Sequence, residues 1–264
     1  MNMLRYLRLF ALFMKSSLLV ELEYRSNFIA QALMGVFWAL VTFVSVALFF
    51  QHTTALGGWS YEQALVIVGL FTMTEGVTQM FLEPNLQRVV AMVRDGTMDF
   101  VLTKPVNSQF IATLRHVKFS GATNFVIGIG LIVYALAQLD YAPSMPQLAL
   151  FALMFSLGML MLYSIWLAMS ASAFWFVKID NMQELFRALW DTARFPISAY
   201  SGMLRALLTF VLPVAFMTTF PAQALLGSLE PGTLVTAIGM CAALFFLSMQ
   251  FWRRAIRNYS SASS

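Results

Sequence analysis

The chain has 264 residues, of which 60% are hydrophobic and only 11% charged, with a formal net charge of +4 and a mean hydropathy of +0.76. Soluble domains carry about 25% charged residues, so water is not the solvent for most of this surface, and the class is a polytopic membrane protein. The single cysteine, Cys241, lies in an apolar run and excludes a disulfide framework or a thiol cluster, and His52 and His116 fall in different loops on opposite membrane faces, so no metal site is expected.

Residues 1–27 form the first unit, an N-terminal interfacial helix. Arg5 and Arg8 precede a short apolar run in the manner of a signal peptide. Lys15 interrupts that run, and Glu21, Glu23 and Arg25 stand where a cleavage site would follow, so the segment is expected to be retained. Leu4, Leu7, Ala11, Met14, Leu18 and Leu22 recur at steps of three and four and make one apolar stripe, which suits a helix lying in the interface plane as an anchor, with or without contact to a partner on that side.

Residues 28–264 form the second unit, a six-span domain. Residues 28–50 carry no charge and are long enough, at about 1.5 Å per residue, for a hydrocarbon layer of about 30 Å. Residues 61–82 make the second span and contain an ionisable group well inside it. Glu75 lies eight residues from Glu83, about 12 Å from the edge of the span, so it should face protein or water or carry a proton. Thr72, Glu75, Gln79 and Glu83 share one helix face. That face reads either as the wall of a pathway or subunit interface, or as a polar patch closed by neighbouring hydroxyls.

Residues 86–110 follow, the longest stretch a bilayer would refuse. They carry Arg88, Arg94, Asp95, Asp99 and Lys104, with a helix stop expected at Asp95-Gly96 and a turn at Lys104-Pro105. Val89, Val90, Val93 and the pair Phe100-Val101 are expected to pack inward and leave the charges outward. Spans three and four are expected over 119–139 and 148–177, the latter closing on aromatic rings beside Lys178. Asn181 and Glu184 fit a capping box opening a second interfacial helix over 181–195, with Glu184, Arg187, Asp191 and Arg194 alternating in sign and Phe195-Pro196 as its stop. The fifth span is expected over 205–227, broken by Pro213 and Pro221 as a re-entrant or kinked element near the outer face, or as a proline kink tolerated by packing. Residues 233–252 make the sixth.

In this topology all sixteen Lys and Arg residues fall on one side, which the positive-inside rule makes the cytoplasm, with both termini inside. The basic residues mark membrane edges and do not form the clustered patch that nucleic acid requires. The chain carries no G-x-x-x-x-G-K-[ST] loop, H-E-x-x-H or G-x-S-x-G, so it is expected not to be an enzyme.

The pattern R-x-G-x-[LM]-D-x-x-L-x-[KR]-P occurs as Arg94, Gly96, Met98, Asp99, Leu102, Lys104 and Pro105, and Pro196, Pro213, Pro221 and Gly227 form a second piece. Over nearly its whole length the chain resembles the membrane subunits of type-2 ABC transporters, in the branch of stand-alone permeases similar to daunorubicin-exporter permeases. The resemblance implies an all-α permease of the cell inner membrane that works with a second copy or a sister permease. It implies that 86–110 holds a coupling helix docking on separate ATP-binding cassette subunits through Arg88, Arg94, Asp95, Gly96, Asp99, Lys104 and Pro105. ATP would sit on that partner and no cofactor on this chain. The cargo would be a small amphipathic or hydrophobic compound moved outward, with Thr72, Glu75, Gln79 and Pro213 along the pathway or subunit interface. The alternatives are a secondary transporter or channel using Glu75 as an ion or proton site, and a non-transporting scaffold.

Overall fold

A computed structural model describes residues 3–176 and 180–259. Among them there are helices and no strands. The helices are α1 (Met3–Glu23), α2 (Arg25–Phe50), α3 (Tyr61–Arg94), the short α4 (Asp99–Leu102) and α5 (Ser108–Leu114), α6 (Gly121–Gln138) and α7 (Met145–Phe174). After these come α8 (Asp180–Trp190), the bent pair α9 (Gly202–Val211) and α10 (Val214–Leu225), and α11 (Pro231–Arg257). Five of them, α2, α3, α6, α7 and α11, are long and apolar enough to cross a membrane. The end of the bundle that holds residues 86–118 and both described chain ends is called basal here, and the opposite end distal.

Helix α3 is the axis. Ser60 caps it, its hydroxyl accepting from Gln63 N (3.3 Å) while Gln63 Oε1 accepts from Ser60 N (3.1 Å). From Ala64 to Thr74 every residue is buried. Two glycines on α3 and two on α6, each pair seven apart, let the two backbones touch: a Cβ on Gly76 would lie 2.4 Å from Phe125 N, and one on Gly128 would lie 2.5 Å from Gly69 O. Toward its basal end α3 passes through a π turn at Thr78–Leu82. Pro84 has no N–H to give Met80 O, which instead accepts from Lys118 N at 3.0 Å. Buried Asn85 then clamps the returning chain, donating to His116 O (2.6 Å) and accepting from His116 N (2.8 Å).

Helix α1 turns Tyr6, Phe10, Phe13, Ser17 and Glu21 toward the bundle and leaves Leu4, Leu7, Leu18 and Leu22 exposed. That outward stripe suits an interfacial anchor. The other face lies against the basal loop, with Tyr6 and Phe110 edge to face at 4.7 Å.

The fifth crossing differs from the sequence expectation. Glu83, Glu75 and Phe71 mark successive levels from the basal end of α3 upward, and α8 with its continuation climbs past them. Arg187 donates to Glu83 (2.7 Å), Trp190 Nε1 donates to Glu75 Oε1 and stacks on Phe71 (5.7 Å), and the Arg194 guanidinium lies 5.6 Å from the Phe71 ring. Phe195 then meets Phe49 near the distal end of α2 (6.4 Å), and Ser198 Oγ donates to Gly57 O in the distal loop (2.7 Å). With about 1.5 Å per α-helical and about 2.0 Å per 3₁₀ residue, and Phe195-Pro196 extended, residues 180–199 have a path of about 37 Å, enough for a hydrocarbon layer of about 30 Å. The stretch expected to lie flat on the inner leaflet is therefore the fifth crossing. The proposed cap at Asn181 lies outside the described side chains, as does Lys178.

By length and composition the pair α9–α10, bent by 60°, would count as a span. Both of its ends, however, meet distal loops: Ser198 sits on Gly57 just before α9, and Gly227 just after α10 lies against Gln147 and Tyr141. The pair enters and leaves by one face. It is the re-entrant element that Pro213 and Pro221 suggested, but not the fifth span, and Arg205 moves from the basal set to the distal side. Residues 213–219 are buried throughout, with Thr218 Oγ1 donating to Ala193 O and Ile197 N donating to Thr219 Oγ1, so protein satisfies the irregular backbone.

Candidate functional site

The basal tip is built by a helix ending and the short helix after it. Thr97 N bonds to Met92 O (2.9 Å) and Gly96 N to Val93 O (3.3 Å), with Gly96 at φ +68°, the paired bonds of a Schellman ending. The helix stop expected at Asp95-Gly96 is present. Beyond it Met98 and Val101, three residues apart, both turn inward (0% and 3% exposed), which forces Phe100 between them outward at 72% exposure. The expectation that Phe100 packs inward is corrected by this helical spacing. Val89 is buried, and Val90 and Val93 are half-buried.

Around Phe100 lie the exposed pair Arg94 and Asp95, at 3.5 Å, and exposed Lys104 and Pro105. Half-buried Asp99 stands beside Tyr259 of the C-terminal helix end. The far side of the tip is braced by α1: Arg5 donates to Pro105 O (3.5 Å), and Asn107 N donates to the Tyr6 hydroxyl (3.4 Å). Arg88 is not part of this surface. It lies two turns back on α3 and donates to His116 Nε2 at 3.3 Å. Burial, with Arg88 and Arg115 alongside, lowers the His116 pKa to about 4, so the ring is neutral and accepts from Arg88.

The second feature is a cleft of about 700 Å³ between α2, α3 and residues 187–194. Thr72, Glu75 and Gln79 line it together, as their spacing required, and Arg187, Asp191 and Arg194 face them. Glu75 Oε1 accepts from Trp190, Oε2 accepts from Gln79 (3.4 Å), and Gln79 Oε1 accepts from Asn124 (2.9 Å). The polar face is thus tied by an indole and amides, and Thr72 satisfies itself on Val68 O. Asp191 pairs with Arg194 at 3.1 Å and Arg187 with Glu83 at 2.7 Å, so these three charges of the fifth crossing are matched, the arrangement that lets ionisable groups sit at membrane depth. Glu83 leaves the row to meet Arg187, and Pro213 lies outside the cleft, at the break between α9 and α10. Among the described residues no group of three His, Cys, Asp or Glu side chains is placed to hold a metal.

Sequence reasoning missed Trp190, Asn124 and Phe100. Trp190 becomes visible only when α8 is read as a crossing beside α3, Asn124 only when α6 is packed on α3, and Phe100 only when the short helix is phased from Met98.

A family model described as ABC-2 family transporter protein matches residues 36–263, which takes in the tip and all of the cleft except its edge at residues 30–35. A search of curated proteins finds no match to the chain. A bundle of apolar helices with a capped polar turn at one end, covered by that match over most of its length, is a transport subunit and not itself catalytic: the chain belongs to the ABC-2 transporter family as a multi-pass membrane permease.

Proposed function

We propose that the chain is one permease of a dimeric, ATP-driven exporter of the kind the daunorubicin-exporter permeases exemplify, paired with a second copy or a sister permease. The observation that carries this reading is the tip: a capped turn held from inside by Met98 and Val101 that leaves an aromatic ring amid Arg94, Asp95 and Lys104. An exposed ring ringed by charge suits docking to a protein surface, since aromatic anchors in a polar rim carry most interface energy. The partner is the separate ATP-hydrolysing subunit, and ATP binds there. The basal face is cytoplasmic, both termini included, in the cell inner membrane. The cleft holding Glu75, Gln79 and Arg194 forms one wall of the route for a small amphipathic or hydrophobic compound, its polar side fitting a headgroup and α2 its apolar body.

Co-purification of an ATPase subunit from membranes tests the reading, with efflux measured in parallel. Charge reversal at Arg94 or Asp99 should abolish both at unchanged membrane abundance. Purified permease that transports under a proton gradient with no ATPase would instead favour a secondary transporter using Glu75.

A further inference from the structure

A pocket of about 430 Å³ opens at the basal end, where α1 meets the ends of α2 and α3 and the loop before α6. Arg88, Arg115 and Lys118 line it, with Glu21 as the one acid. Among the described residues none of these three cations forms an ion pair with a carboxylate. Glu21 faces Lys118, but its Oε2 already accepts from Phe119 N at 2.9 Å. The pocket therefore holds excess positive charge, and His116, pushed down to about 4 by burial and then by Arg88 and Arg115 beside it, stays neutral in its wall.

Its frame is fixed before any ligand arrives. Asn85 and the Met80 carbonyl fasten residues 116–118 to α3, and Val117 N donates to Ser17 Oγ on α1 (3.1 Å). One part of the wall is apolar, Val20 and Phe28, and it runs onto the exposed Leu18 and Leu22 of α1, while Ser16, Asn27 and Gln31 add uncharged polar lining.

We propose that this pocket binds the phosphate of an anionic phospholipid headgroup, with Arg88, Arg115 and Lys118 on the phosphate and the acyl chains leaving along Val20, Phe28 and the leucine stripe of α1. A soluble phosphate ester would meet the same three cations, but only a lipid also covers the apolar wall at the junction of an interfacial helix and the first span. Basic pockets on the cytoplasmic side of helix bundles recognise such headgroups. A lipid held here braces α1, the helix that also holds Pro105 and Asn107 at the tip.

Native mass spectrometry of the purified permease with phosphatidylglycerol and phosphatidylcholine, each at equal concentration, tests this. The unaltered chain should retain phosphatidylglycerol preferentially, and Arg115→Gln and Lys118→Gln should each lower that retention about fivefold. Both side chains are exposed, so thermal midpoints in lipid-free detergent should match the parent. A second variant, Val20→Asn, should weaken the lipid without touching a cation. Equal retention of the two lipids by the parent, or undiminished phosphatidylglycerol on both charge variants, would overturn the proposal. Displacement by soluble glycerophosphoglycerol at matched concentration would show a site for free phosphate esters and overturn the lipid assignment.

Discussion

At the scale of single residues, Phe100 is the sharpest test of docking. Phe100 is 72% exposed, so Phe100→Ala removes little packing within the chain and membrane abundance should hold. If it anchors the ATPase subunit, truncation should cost about 2 kcal/mol or more, read as at least a tenfold drop in co-purified partner. His116 offers a second test. Its folded pKa of about 4 lies below the ordinary 6.5, so between those values the unfolded chain binds a proton that the folded chain refuses. Stability should therefore fall as pH drops from about 6.5 toward 4 and gain no further loss from this group below that. Thermal midpoints across that range in lipid-free detergent should fall less steeply for His116→Gln than for the parent.

At the scale of elements, the seam between α3 and α6 makes a contrast within a single turn. A Cβ at Gly128 would lie 2.5 Å from both Gly69 O and Met73 N, backbone atoms that cannot swing away, whereas nothing lies within 4 Å at Gly130. Gly128→Ala should destabilise by about 1–3 kcal/mol through overpacking, and Gly130→Ala should be neutral or stabilising by up to about 1 kcal/mol through helix propensity. Thermal unfolding in detergent separates them. What the sequence made legible at this scale follows from local physics. Spans one to four and six announce themselves by apolar length, and the stop at Gly96 by a residue able to take φ +68°. Thr72, Glu75 and Gln79 share the cleft because helical spacing requires it. The fifth crossing was not legible, because Arg187, Asp191 and Arg194 forbid it on any hydropathy scale. Only tertiary partners permit it: Glu83 for Arg187, and the Phe71 ring beneath Arg194. The apolar run 205–227 drew the span assignment, although its chain returns to the distal end it left.

At the scale of the whole molecule, relocating the fifth crossing changes the charge map that set the orientation. Arg187 and Arg194 stand along the crossing and Arg205 on the distal side, while the basic residues of α1, of 88–118 and of the end of α11 stay basal. The bias that drives the positive-inside rule thus survives the loss of three members. Arg205 then distinguishes the two topologies directly. In a chain with Cys241→Ser as background, single cysteines at Gly58, Thr97 and Arg205 can be challenged with an impermeant thiol reagent in intact cells. A cysteine at 58 should react from outside, since Gly58 has open space around its Cα and lies in the distal loop. A cysteine at 97, in the turn after α3, should react only once the membrane is opened. A fifth span over 205–227 puts position 205 with position 97, inside. A re-entrant α9–α10, pinned at Ser198 to Gly57 and at Gly227 to Gln147, puts it with position 58, outside. Labelling of the 205 variant from outside is the expected result, and labelling only after permeabilisation would return the fifth span to 205–227 and leave residues 180–199 on the basal surface.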